Sequence, residues 1–185
     1  MSRAGTMFER SIGDAENLLT HFNSLNDKPP KPELEVLKRA GLIMAVTAWE
    51  TYVEDRVLEG AAERLANLSD KTIAEFMQAK LEEEIKRLNN PVSEKVIALF
   101  RDYAGIDLSK EWAWPNLDRK LVCERLDAYL KLRGDVVHRS PPVMQGPRKP
   151  DPVTKDDLEK AIRFLKRLVQ ATEAAFTETV AKCPA

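Results

Sequence analysis

Apolar positions recur with a helical period in six stretches of the chain, separated by polar or proline-containing segments. Phe8, Ile12, Ala15, Leu19 and Phe22 step by four, three, four and three residues, which predicts an amphipathic helix ending near Asn26, before Pro29-Pro30. Pro32 suits the first turn of a second helix that runs to about Leu68. That helix carries two apolar lines, Leu42, Val46, Trp49, Val53 and Val57 on one and Leu37, Met44, Ala48 and Tyr52 on the other, as expected of a central helix packed on several sides. Ile73, Met77, Leu81, Ile85 and Leu88 predict a third helix, stopped at Asn89-Asn90-Pro91. A shorter fourth spans Ser93 to about Tyr103, with Gly105 as its C-terminal stop. Ile106 to Asn116 reads as an ordered connection, its Trp112 and Trp114 packing on the core rather than stacking on bases. Asn116 or Asp118 caps a fifth helix, which passes through Leu121, Val122, Leu126, Tyr129 and Leu130 to about Arg139 and ends at Pro141-Pro142. Beyond a proline-rich loop to Pro152, Thr154 and Asp157 form a capping-box pattern, with Asp where Glu is usual, and open a last helix through Phe176. Glycine is sparse, at seven residues, and alternating β-branched runs are nowhere sustained. The expected fold class is all-α, in one domain over residues 1–185.

Composition changes this picture little: 43% hydrophobic and 32% charged residues suit a soluble globular chain. No apolar run reaches membrane-spanning length, and MSRAGTMFERSIG lacks the marks of a secretory signal, so a cytoplasmic protein is expected. Cys123 and Cys183 have neither metal-ligand spacing nor the density of a disulfide scaffold and read as free thiols. With 29 basic and 30 acidic residues the molecule as a whole does not attract nucleic acid, so any such site must be local. One segment stands out: residues 119–149 hold Arg119, Lys120, Arg125, Lys131, Arg133, Arg139, Arg148 and Lys149 against Glu124, Asp127 and Asp135.

Most catalytic templates are absent: no phosphate-binding glycine loop, no His-Glu-x-x-His helix, no Gly-x-Ser-x-Gly elbow. Two histidines, His21 and His138, rule out a histidine-rich metal centre, though not an all-carboxylate one such as Glu50, Glu54 and Asp55. His21, beside Phe22, reads as a packing or surface histidine. What remains is Arg133-Gly-Asp135-Val-Val-His138, inside the basic segment and near a helix end. Histidine titrates near neutrality and moves protons, and arginine offers a permanent bidentate cation to a phosphate. On a regular helix the two lie about 7.5 Å and about 140° apart, too far to touch. A phosphate between them, or a twofold-related copy bringing a second pair, are the two ways to join them. Both residues are expected at an exposed helix end.

The run from Arg125 through Arg133 and His138 to Pro141-Pro142 resembles the Arg-x4–6-His signature that closes the key helix of HEPN ribonucleases. The segment from Leu42 to Asp55, with Trp49-Glu50 in an alanine-rich apolar helix, is similar to the second helix of the RiboL-PSP branch of that superfamily. The resemblance implies a HEPN-type helical bundle of about five to six helices. It also implies a metal-independent endoribonuclease without cofactor, working on RNA as a homodimer with a composite site. It implies Arg133 and His138 as catalytic residues. The position after the arginine, polar in many active members, is Gly134, with Asp135 one place later as a catalytic substitute. Lys131, Arg139 and Glu50 are candidate substrate-contacting residues, Glu50 reading equally as an ion-pair partner. A toxin or antiviral defence role, with an antitoxin or nucleotidyltransferase partner, is the biological setting implied. Two other readings stay open: a non-catalytic module of the same type binding RNA, nucleotide or protein, which Gly134 favours, and a helical interaction protein without a ligand.

Overall fold

The computed structural model describes residues 1–25, 32–138 and 151–182. Six helices follow in order: α1 (Arg3–Leu25), α2 (Glu35–Leu65), α3 (Lys71–Lys86), α4 (Ser93–Leu99), α5 (Arg119–His138) and α6 (Lys155–Lys182). A 3-10 turn over Pro32–Leu34 leads into α2, and a π turn over Phe100–Ala104 extends α4. No strand occurs among the described residues, where one isolated bridge joins Trp114 and Leu117. No helix among them is long and apolar enough to cross a membrane.

The helix ends follow from local chemistry. Asp118, not Asn116, caps α5, its carboxylate accepting from the Leu121 N–H at 2.8 Å. Asn116 instead sits at φ 73° in the tight turn before it. Thr154 and Asp157 cap α6 reciprocally, Asp157 N–H donating to Thr154 Oγ1 at 3.1 Å and Thr154 N–H to Asp157 Oδ2 at 3.0 Å. Gly105, at φ 72°, ends the π turn in the left-handed region that glycine enters freely, and Ile106 N–H reaches back to the Phe100 carbonyl at 3.0 Å.

Helix α2 is the axis of the bundle, with α1, α3, α5, α6 and the π turn packed on it. Leu42, Val46, Trp49, Val53 and Val57 are all buried, as the first apolar line requires. On the second line Ala48 and Tyr52 are buried, but Met44 is 38% exposed, because no described element covers α2 there. Helices α2 and α6 run parallel and close: a Cβ on Gly60 would lie 2.6 Å from the Phe176 ring. Helix α1 runs antiparallel to both, and its first turn closes a polar cluster. Glu173 of α6 accepts from Ser2 N–H and Oγ, Tyr52 Oη and Arg56 Nε at 2.9–3.0 Å. Burial pulls the Glu173 pKa up, but these donors and the Arg56 charge outweigh it and hold the carboxyl below its ordinary value.

Both tryptophans of the connection pack on the core, Trp112 wholly and Trp114 on one side. Trp112 is fully buried, its Nε1–H donating to Thr172 Oγ1 at 3.0 Å, and the Trp114 ring lies 5.9 Å from that of Phe164. Helix α3 departs from expectation. Of its apolar line only Leu81 is buried, while Ile73 is 54% exposed and its neighbour Phe76 60%. The period marks a face that prefers cover, and α2 supplies it only in part.

Candidate functional site

Helix α5 turns one line inward: Val122, Leu126 and Leu130 are buried, and Arg133 continues the same line eleven residues after Val122. Its guanidinium is therefore carried in between α5 and α2, where its Nη2 pairs with Glu50 Oε1. The two side chains are 23% and 21% exposed, and Arg133 Nε is buried without a hydrogen-bond partner. The expectation of an exposed Arg133 is thus corrected: a helix-end cation reads as surface, but its register places it on the core-facing line. Glu50 follows the fully buried Trp49, so α2 fixes its position from the core outward.

His138 is the last residue of α5 and is exposed, as expected. The helix is continuous from Arg133 to His138, which keeps the two about 140° apart. Lys131, Asp135 and His138 follow at i, i+4 and i+7 and share the outer face, away from Arg133. Lys131 is exposed and Asp135 half-buried. Arg139 lies outside the described residues, as does Cys183, while Cys123 is a half-buried free thiol. One chain therefore joins Arg133 to Glu50, groups Lys131, Asp135 and His138 separately, and does not bring the two sets together.

Asp127 was not singled out in the sequence, and Glu54 only as one of a carboxylate set with Glu50 and Asp55. Asp127 accepts from the Ser93 N–H at 2.8 Å and the Ser93 hydroxyl at 2.9 Å, binding α5 to the first turn of α4 and so fixing the helix that carries the motif. Glu54, one turn after Glu50, has its pKa pushed up by burial and then by the charge of Asp55. Neither role shows in a linear pattern, since both depend on which helix arrives from elsewhere in the chain. Among the described residues no group of three or more His, Cys, Asp or Glu is placed to hold a metal ion.

The arrangement provides a held cation, a carboxylate orienting it, and an accessible imidazole at the end of the same helix. A family model, that of RiboL-PSP-HEPN, matches residues 10–178, which include both helices discussed. A search of curated proteins and of solved structures gives no match to the chain. An all-α bundle of this order is of HEPN type. Within that superfamily, the chain belongs to the RiboL-PSP-HEPN family.

Proposed function

We propose that this chain is a metal-independent endoribonuclease whose catalytic residues are Arg133 and His138. The observation that carries the reading is their contrast on one helix: Arg133 held inward by Glu50, His138 free at the helix end. In the reaction the ribose 2′-oxygen bonds to the adjacent phosphorus and the bond from phosphorus to the 5′-oxygen breaks. The 2′-hydroxyl proton leaves to a base, and the departing 5′-oxygen takes a proton from an acid. The products are a 2′,3′-cyclic phosphate and a 5′-hydroxyl. His138, exposed at the end of α5, supplies the proton carrier. Arg133 stabilises the negative charge growing on the non-bridging phosphate oxygens. Its pairing with Glu50 is made through Nη2 and, with the Nε–H buried, leaves the remaining Nη donors for substrate.

Because α5 separates the two side chains around its axis, a twofold homodimer is the arrangement that completes the site, each copy lending its pair to a shared cleft. Asp135, Lys131 and Arg139 then flank the RNA. The whole chain forms one domain and works in the cytoplasm, in a toxin or defence setting that calls for an antitoxin or nucleotidyltransferase partner. A second reading, an RNA- or nucleotide-binding module without catalysis, draws on Gly134, which leaves no side chain beside Arg133.

The test is incubation of the purified chain with mixed RNA in EDTA, with analysis of product ends. Cleavage is expected to survive, to leave a 2′,3′-cyclic phosphate and to spare DNA, which lacks the 2′-hydroxyl. Loss of activity in EDTA, restored by magnesium with equal cutting of single-stranded DNA, would overturn the mechanism and turn attention to Glu50, Glu54 and Asp55. Binding without cleavage would support the second reading.

A further inference from the structure

Helix α5 carries a second row that starts beside its buried line and, drifting about 40° with each step of four, meets that line at Arg133. Leu121, Arg125, Tyr129 and Arg133 follow at intervals of four, a ladder about 18 Å long that leads from the start of the helix to the candidate site. At its far end an open pocket of about 540 Å³ is lined by Trp114, Asn116, Leu117, Asp118 and Leu121, the last 45% exposed. Trp114 and Tyr129 are both half-buried and lean on the same ring, that of Phe164, at 5.9 and 5.5 Å. Each therefore has one side fixed by the fold and part of its surface open to solvent. Arg125 and Arg163 are exposed, and their charges are felt at Tyr129 together with those of Asp157 and Asp156. Both acids have partners within the fold: Asp157 caps α6, and Asp156 pairs with Lys160 at 2.5 Å.

We infer that this ladder is a track for single-stranded RNA, with Trp114 and Tyr129 as stacking surfaces for bases and Arg125 and Arg163 as phosphate contacts, feeding the strand toward Arg133. The inference rests on the ribonuclease reading and adds to it a substrate class: an unpaired strand, because only unstacked bases offer a free face to a ring. It also gives a near-neutral protein a local way to hold a polyanion. Rings held on one side lose little freedom on binding, and every base has a face to present, so the track favours unpaired RNA over any particular sequence.

The track is tested by adding a 2′-O-methyl oligouridylate, which has no free 2′-hydroxyl to attack, to the wild-type chain. Trp49 and Trp112 are fully buried, so a change in tryptophan emission reports on Trp114. The expected result is quenching on binding that Trp114→Phe abolishes, and affinity about five- to a hundredfold weaker in Tyr129→Ala and Arg125→Gln. Thermal melting separates this from misfolding, Arg125→Gln being an exposed change. Wild-type affinity in Arg125→Gln with unchanged emission, or cleavage of RNA without measurable binding here, overturns the track and leaves the nuclease reading intact. Neither binding nor cleavage by the wild-type chain overturns both.

Discussion

Arg133 shows how one residue can be identified from sequence and still be misplaced by it. Its type and its spacing from His138 are legible, and they make the two residues candidates for a phosphate-binding cation and a proton carrier. Its burial follows from Val122, Leu126 and Leu130, whose line it extends, but a basic side chain near a helix end reads as solvated. Its partner is not legible, because Glu50 lies 83 residues earlier, and nothing local links the two. The consequence is an unequal pair of variants. Arg133→Ala leaves the Glu50 carboxylate half-buried without its cation and is expected to lower stability by about 1–3 kcal/mol. His138→Ala, at an exposed position, is expected to change it by less than about 0.5 kcal/mol. Urea denaturation of both variants checks this; equal and small losses would mean that the ion pair does not hold Arg133.

At the scale of elements, the helix order was legible because each helix has its own stops: Pro91 after α3, Gly105 after the π turn, Asp118 before α5, Thr154 with Asp157 before α6. Which faces acquire neighbours was legible only where the apolar line is continuous. Trp49 and its line on α2 were clear; Ile73 on α3 follows the same period yet stays exposed. Contacts made through small residues leave still less trace. Gly60 sits in the middle of α2, where alanine has the higher helix propensity, yet Phe176 of α6 and Ala104 occupy the space a methyl group would need. Gly60→Ala is therefore expected to destabilise the chain by about 1–3 kcal/mol, against the gain helix propensity alone predicts. Denaturant unfolding decides it: a more stable variant would show that α2 and α6 are not packed as closely as described.

For the whole molecule, a net charge of −1 gives no overall attraction for RNA, so the proposed binding must be local. Helix α5 carries the Arg133 and His138 pair, the Asp127 contact that fixes it to α4, and the ladder of Arg125 and Tyr129. The geometry of one continuous helix explains why a single copy leaves Arg133 and His138 apart. The most direct test of the account is the rate at which wild-type chain and His138→Ala cleave the same mixed RNA in EDTA. His138→Ala is expected to lose at least about a hundredfold, the size of a positioned proton carrier's contribution, while melting at the wild-type temperature. Cleavage at the wild-type rate by His138→Ala would contradict the assignment of His138 and, with it, the proposed mechanism.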